Sequence, residues 1–162
     1  MSSLRTRQQS CKECKLCENM NVSPVAIEFS GSPVDVLFVI GAHVKQRQDD
    51  YQEVLSAPDK KILELLFQKL KLKFAVTLLV KCKNSEAFVG PNTKKEVKDC
   101  EHWIKTEIDE LGPKLVVGVG NVKYSSVKFD MVIESFNKIL SSSPRTDILL
   151  NDIEAAINDK HI

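Results

Sequence analysis

Three short runs of hydrophobic residues, each bounded by Pro, Gly or charged residues, recur along the chain. They cover residues 34–40, 74–80 and 115–119. Continuous hydrophobic runs of this length are typical of strands that are buried on both faces, as in a parallel sheet. The pattern therefore predicts three parallel strands at the centre of the protein.

Hydrophobic residues at helical spacing occupy the segments between these runs. The first helix is predicted to begin near Ser56, where cap and first-turn residues occur, and to end near Leu72. The positions expected on its buried face are Ile62, Leu63, Leu66 and Leu70.

The second predicted helix has the clearest borders in the sequence. Thr93 and Glu96 form a capping box, and Gly112 followed by Pro113 supplies the stop. Hydrophobic residues step along it by three or four positions, at Val97, Cys100, Ile104, Ile108 and Leu111. This spacing predicts that Cys100 points inward.

The last third of the chain predicts further helices. One is expected after Gly120, another over residues 147–157, and residues 131–140 are compatible with a strand or a helix. Alternating strands and helices favour a three-layer α/β/α fold with a central, mainly parallel four-stranded sheet. We expect one such domain over residues 31–162, preceded by an N-terminal arm over residues 1–30. Ligands of such sheets bind at the carboxyl ends of the strands.

Charge and hydropathy narrow the class of protein. The 162 residues carry 23 basic and 22 acidic side chains, so the global charge does not point to a nucleic acid or a membrane surface. No run is long enough to span a bilayer, and no hydrophobic signal core follows the basic start, which predicts a cytoplasmic protein. Nineteen lysines against four arginines hint at an AT-rich genome, and hence at a bacterial or virus-infected cell.

Lysines are nevertheless clustered locally. Those in one stretch are Lys60, Lys61, Lys69, Lys71, Lys73, Lys81 and Lys83. Such a cluster is compatible with a nucleic-acid contact, and equally with solvated helix faces.

Five cysteines suggest a metal site. Cys11 and Cys14 form a close pair with Cys17 nearby, Cys82 ends the second hydrophobic run, and Cys100 lies in the second helix. The odd count argues against a disulfide framework, and scattered cysteine ligands suit an iron-sulfur cluster better than a zinc ribbon. The alternative is that Cys82 and Cys100 are small buried hydrophobic residues.

Four blocks carry a resemblance to a known family. They are the Cys11–Lys–Glu–Cys–Lys–Leu–Cys opening, the strand over residues 36–40, the block over residues 77–82, and residues 100–120 with their Cys, Trp, Pro-Lys and final Gly. Together they resemble the iron-sulfur uracil-DNA glycosylases, called family 4, of the uracil-DNA glycosylase superfamily. The resemblance implies the fold of the uracil-DNA glycosylases, a structural 4Fe-4S cluster and DNA as a partner. The cluster ligands it implies are Cys11, Cys14, Cys82 and Cys100.

The positions that match the family's catalytic residues are changed. Gly41 stands where the family has an acidic residue, Leu78 where it has the uracil-reading Asn, and Ser143 where it has the His of a His-Pro-Ser loop. The stacking aromatic residue aligns with Leu55, although Tyr51 is close. Excision requires a flipped base, a positioned water and stabilisation of the leaving anion. These changes together predict an inactive enzyme.

His43 is the residue that could restore activity, because it follows the first strand and could act as a base or stabilise charge. The alternative is a surface histidine in a polar loop. His102 and His161 are assigned no role, and Trp103 is expected to be structural.

Three functions are compatible with this pattern. The first is a binding module that holds DNA or a replication protein such as a polymerase. The DNA-contacting residues it predicts are Lys45, Arg47, Lys81, Lys83 and Arg145. The second is an active, divergent glycosylase that uses His43 and an Asp49, Asp50 or Asn84 side chain. The third is a protein-only adaptor or inhibitor. None of them involves a membrane or a small-molecule substrate.

Overall fold

Five strands of the described residues form one sheet through the centre of the protein. A computed structural model describes residues 2–9, 27–29, 33–41, 57–80, 94–134, 136–141 and 143–160. The strands are β1 (Glu28–Phe29), β2 (Val36–Ile40), β3 (Phe74–Leu78), β4 (Leu115–Val119) and β5 (Met131–Ile133). Their order across the sheet is β1-β3-β2-β4-β5. Strands β2 to β5 are parallel, and the two-residue β1 pairs antiparallel with β3.

In the part of the chain that the structure describes, five helices cover the two faces of the sheet. They are α1 (Ser2–Gln9), α2 (Ala57–Leu70), α3 (Lys94–Leu111), α4 (Phe136–Leu140) and α5 (Ser143–Lys160). Buried residues of α2, α4 and α5 pack on one face, and those of α1 and α3 pack on the other. The predicted three-layer α/β/α fold and its mainly parallel sheet are confirmed.

The face covered by α2, α4 and α5, here called the first face, has a hydrophobic core. Alternate residues of the central strands point into it, among them Phe38 of β2 and Val117 of β4. Aromatic rings join the helices to the sheet, since the ring of Phe38 lies 5.8 Å from that of Phe67 and 5.0 Å from that of Phe136. Both contacts are edge-to-face, an arrangement that aromatic pairs favour.

The opposite face, here called the second face, combines hydrophobic and polar buried residues. Leu37, Val39 and Val116 point into it from the strands, and Ile104 from α3. Four of the five buried polar residues among the described ones lie between α1, α3, the sheet and the segment after β4. These are Gln8, Thr77, Glu101 and Glu107.

The borders of α3 agree with the sequence, and its buried stripe does too. The helix begins directly after Thr93 and ends at Leu111, where Gly112 takes a left-handed backbone with φ of 56° and donates to the carbonyl of Ile108. Val97, Cys100 and Ile104 are buried, as predicted.

Helix α2, the first helix predicted from the sequence, buries a different set of residues from the one predicted. Leu63 and Phe67 are buried in α2, whereas Ile62 is 38% exposed. The prediction placed Ile62 on the buried face, which is wrong, because the stripe is centred on residues 63 and 67 and Ile62 lies at its margin.

The C-terminal region is more divided than predicted. Residues 131–133 form β5 and residues 136–140 form α4, so the ambiguous segment contains both a strand and a helix. The last helix begins at Ser143, earlier than residue 147, with Pro144 in its first turn, where a missing amide hydrogen costs nothing.

Residues 121–130, which directly follow Gly120 and are all described, contain no helix, which corrects the prediction for this segment. Residues 121–130, here called the crossover loop, run as an irregular segment from the carboxyl end of β4 to the amino end of β5. At the far end the amide of Asp130 donates to the carbonyl of Val116, and its carboxylate accepts from the Val116 amide, each at 2.8 Å. Val, Ser and Tyr in this segment are weak helix formers.

Among the described residues, none of the helices is long and hydrophobic enough to cross a lipid bilayer.

Candidate functional site

The carboxyl ends of the parallel strands meet at one edge of the sheet, here called the carboxyl edge. The amide of Gly41 donates to the carbonyl of Val119 at 2.8 Å, and the amide of Leu79 donates to that of Ile40 at 2.9 Å. Gly120 continues the row by donating to the carbonyl of Ile133 at 2.9 Å. These bonds fix the relative positions of the residues that directly follow β2, β3 and β4. The predicted site lies among these residues.

Gly41 lies in a closed space at this edge. A Cβ atom built on it would lie 1.9 Å from the carbonyl oxygen of Asn121 and 3.0 Å from a methyl group of Val122. Any side chain here would force the crossover loop away from β2. The position that matches the family's acidic residue therefore has no room for a carboxylate with the backbone in this arrangement.

Leu78 and Ser143 lie in different environments. Leu78 is 3% exposed, and its side chain packs in the hydrophobic core of the first face. Ser143 is exposed at the first residue of α5. At the position that matches the uracil-reading Asn, a hydrophobic side chain thus contributes to the core and offers no polar group to a base.

Arg145 lies at the carboxyl edge beside β5. Its Nη1 is 3.5 Å from Oε2 of Glu134, the residue that follows this strand, and both side chains are more than half exposed. Strands are spaced by about 4.8 Å, so β5 lies roughly 10 Å from β2 across the sheet. An exposed ion pair of this kind is weak, and it leaves the guanidinium accessible to another anion.

Cys100 is the predicted metal ligand whose placement the structure describes. It is 3% exposed in the second turn of α3 and packs in the core of the second face with Val97, Trp103 and Ile104. The inward orientation predicted from the helical spacing is confirmed, and Trp103, which was expected to be structural, is buried in the same core. A thiol in such a position suits either a small hydrophobic role or a ligand of a buried cluster.

Several predicted residues lie outside the described residues. They include three of the four predicted cluster ligands, the candidate base and most of the predicted DNA contacts: Cys11, Cys14, Cys82, His43, Lys45, Arg47, Lys81 and Lys83. Tyr51, Leu55, Asp49, Asp50 and Asn84 also lie outside them. Within the part of the chain that is described, no three His, Cys, Asp or Glu side chains form a group that could hold a metal ion.

Glu101, which follows Cys100 directly, anchors the crossover loop. Its Oε1 accepts hydrogen bonds from the hydroxyl of Ser125 at 3.0 Å, from the hydroxyl of Ser126 at 2.6 Å and from the Ser126 amide. Burial favours the neutral acid, but the Ser126 and Ser125 hydrogen bonds and the charge of Lys105 outweigh it and lower the pKa of Glu101 below its usual value. The carboxylate is therefore ionised at neutral pH.

A second buried carboxylate joins α1 to the sheet. Oε2 of Glu107 accepts from the hydroxyl of Thr77 at 2.8 Å and from Nε2 of Gln8 at 2.5 Å, and Oε1 of Gln8 accepts from the amide of Ile27. These contacts lie between α1, α3 and β3, so their role is to position α1.

Lys123 and Tyr124 are adjacent exposed residues of the crossover loop. Nζ of Lys123 lies 5.0 Å from the centroid of the Tyr124 ring, a distance typical of a cation–π contact. Sequence reasoning did not identify Lys123, Tyr124, Glu101 or Glu107. The signal for Glu101 and Glu107 was weak, because both are acidic residues on a helix whose exposed face is also charged.

Two cavities lie away from the closed space around Gly41. One, of about 580 Å³, lies at the amino end of β3 and includes Phe67, Lys71 and Lys73 in its lining. The other, of about 350 Å³, lies beside β5 and includes Val132, Arg145 and Ile148. Only the second reaches the carboxyl edge, through Arg145.

Comparison of the sequence with models of known protein families, and with curated proteins, found no match.

Proposed function

We propose that this protein is a uracil-DNA glycosylase-like iron-sulfur protein that binds DNA without excising bases and serves as an accessory module in replication or repair. The observation that carries the loss of activity is the packing of Gly41 against the Asn121 carbonyl, which leaves no space for a water-positioning carboxylate. The burial of Leu78 in the first-face core adds to it. A reducing, cytoplasmic compartment is part of the proposal, because thiolate ligands persist there.

Binding to DNA is supported by cations at the carboxyl edge. Lys123 and Arg145 are exposed on chain segments that begin at this edge, and Lys45, Arg47, Lys81 and Lys83 follow the ends of β2 and β3 in the sequence. A near-neutral protein with locally clustered cations binds a polyanion at that surface rather than over its whole area.

Labelled single-stranded and duplex DNA at two salt concentrations test this proposal. We expect affinity to fall with salt, as counterion release requires, and no base to be released from strands that contain uracil, xanthine or hypoxanthine. Strand breaks after alkali that disappear in His43→Ala would contradict the inactivity and establish the divergent glycosylase. A pull-down of a polymerase that resists nuclease, with no DNA binding, would instead establish the protein-only adaptor.

The cluster is proposed to be held by Cys11, Cys14, Cys82 and Cys100. The buried side chain of Cys100, in the second turn of α3, would hold the cluster against this helix. The next residue, Glu101, anchors the crossover loop. When bound, the cluster would supply structural cross-linking of the N-terminal arm to the domain and no redox step.

Anaerobic purification followed by a visible spectrum tests the cofactor. We expect broad absorbance near about 400 nm, as for thiolate-bound iron, that is lost in Cys100→Ser and kept in the matched variant Cys17→Ser. A colourless protein with stoichiometric zinc would replace the cluster with a zinc site, and a protein with neither metal would leave Cys100 a buried hydrophobic residue.

A further inference from the structure

The crossover loop exposes one aromatic ring and buries its other large hydrophobic side chains. Tyr124 is 43% exposed, whereas Val122 is buried and Val127 and Phe129 pack against the second-face core. Tyr124 is thus partly exposed and lies outside this core. A ring in this position offers a flat surface to a planar ligand.

The backbone around this ring is held in place. Glu101 binds both residues that follow Tyr124, Ser125 and Ser126, through two hydroxyls and one amide. On the other side, the side chain of Asn121 accepts from the amide of Lys123, and the carbonyl of Val122 accepts from that of Ser125 at 3.2 Å. A ligand that stacks on Tyr124 would therefore pay little to order the loop.

A positive charge accompanies the ring. The Lys123 ammonium lies over one face of the ring, 5.0 Å from its centroid, and both side chains are exposed, so a base would stack on the opposite face. A planar ring paired with one cation is complementary to a ligand that has a planar base and a negative phosphate. Single-stranded nucleic acids bind to such pairs, because bases stack on aromatic rings while phosphates contact nearby cations.

The crossover loop also begins at the carboxyl edge of the sheet. It begins after Gly120 at the carboxyl end of β4, and the Asn121 carbonyl contacts Gly41 at the end of β2. Tyr124 follows Asn121, which makes this contact with Gly41, by three positions in the sequence. A strand bound along the carboxyl edge would pass the loop.

We infer that Tyr124 and Lys123 form a contact for one unpaired nucleotide, in which the ring stacks on the base and the ammonium pairs with a phosphate. This inference rests on the proposed DNA binding and names the residues that would distinguish single strands from duplex. In a duplex the base faces are already stacked on each other, so the ring has no surface to contact.

A labelled oligothymidylate and a strand of the same length made of abasic spacers are the two probes. We expect Tyr124→Leu to weaken binding of the oligothymidylate by roughly 5- to 100-fold, the range for loss of one aromatic stack. Tyr124→Phe, which keeps the ring, should bind within about 2-fold of the wild-type protein. On the abasic strand Tyr124→Leu and the wild-type protein should bind equally, because only the phosphates remain to be contacted.

Lys123→Gln tests the phosphate contact by its salt dependence. We expect the slope of log affinity against log salt to become shallower by about 0.7, the value for one contact on a single strand. Lys128→Gln, an exposed lysine at the other end of the crossover loop, is the matched control and should leave the slope unchanged. An unchanged slope for Lys123→Gln would remove the phosphate contact from the inference.

The failures of the two proposals can be told apart. If the wild-type protein binds neither probe, the proposed DNA binding fails, and this inference fails with it. If the wild-type protein binds the oligothymidylate and Tyr124→Leu binds it equally well, only the inference is overturned. Equal losses on both probes would also overturn it, since stacking requires a base. The thermal unfolding midpoint of Tyr124→Leu should match the wild-type value, because the side chain is exposed.

Discussion

The two faces of the sheet are held by different interactions. On the first face, the rings of Phe38, Phe67 and Phe136 pack edge to face among aliphatic side chains. On the second face, Glu101 and Glu107 accept hydrogen bonds from side chains far away in the sequence. Hydrophobic packing is non-directional, whereas a buried carboxylate holds its donors in particular positions.

The difference bears on where function resides. Cys100, Glu101 and the crossover loop all belong to the second face, and the closed contact at Gly41 is made by that loop. The polar contacts of this face set the positions of α1 and the loop relative to the sheet. Both faces bury a hydrophobic core, and the polar contacts of the second face additionally set the geometry of the proposed binding edge.

The largest expected effect is on the first face. Phe38→Ala should lower the free energy of unfolding by about 3–5 kcal/mol, because it leaves a cavity between two aromatic rings. Urea denaturation followed by circular dichroism measures this loss. Leu65→Ala, on the exposed side of α2, is the control and should change stability by less than about 0.5 kcal/mol. A loss below about 1 kcal/mol for Phe38→Ala would mean that this face does not depend on ring packing.

The contact between β2 and the crossover loop should respond next most strongly. Gly41→Ala should cost about 3 kcal/mol, because its Cβ would overlap the backbone carbonyl of Asn121. The matched variant is Gly112→Ala, which has open space around its Cβ but a φ of 56° and should cost about 1 kcal/mol. Urea denaturation of both variants compares steric overlap with backbone strain. If Gly41→Ala were the milder change, the loop would be free to move away from β2.

Two threonines compare a buried side-chain carboxyl acceptor with a backbone carbonyl acceptor across the faces. Thr77→Val removes a hydroxyl that donates to the buried Glu107 carboxylate at 2.8 Å, and should cost about 2 kcal/mol. Thr146→Val removes a hydroxyl that donates to the Ile139 carbonyl at the same distance, and should cost about 1 kcal/mol. Equal losses in parallel thermal unfolding experiments would show that the buried Glu107 carboxyl depends on its hydroxyl donor no more than the Ile139 carbonyl does.

The smallest effect is expected at Glu101, and it should depend on pH. The pKa of Glu101 is lowered in the folded protein, so its contribution is fully present above the ordinary value of 4.5 and is lost as the pH falls below it. Glu101→Gln should cost about 1 kcal/mol at neutral pH, and the difference from wild type should shrink in acid.

Thermal unfolding at neutral pH and below pH 4.5 measures this effect. Glu134→Gln is the control, because the exposed pair that Glu134 makes with Arg145 should contribute less than about 0.5 kcal/mol. A Glu101→Gln deficit that stays constant with pH would mean that the carboxylate does not hold the loop through its charge.

The regular part of the fold could be predicted because its signals are local. The run at residues 115–119 is the strand β4 itself, and the border residues of α3 follow from caps that act within one helical turn. The crossover loop could not be predicted in this way. Its conformation depends on Glu101, which binds Ser126 from 25 residues away. Likewise, the burial of Glu107 requires Gln8, 99 residues distant.

The site was predictable only where it follows from periodicity. The helical spacing placed Cys100 inward correctly, because the stripe to which it belongs is long and regular. Gly41 was identified from the resemblance, but the reason why it must be glycine lies in the backbone of Asn121. Tyr124 and Lys123 had no sequence signal, since an exposed aromatic residue beside a lysine is common in loops.

Three donors from Ser125 and Ser126 converge on one carboxylate oxygen, so this part of the crossover loop is attached or released as a unit. When Oε1 of Glu101 loses its donors, both serines and the Ser126 amide are released in the same event, while the strands on either side remain paired. Such a segment opens as a separate unit, far more often than the whole domain unfolds. Amide exchange would show this as a rapidly exchanging Ser126 between two slowly exchanging strands.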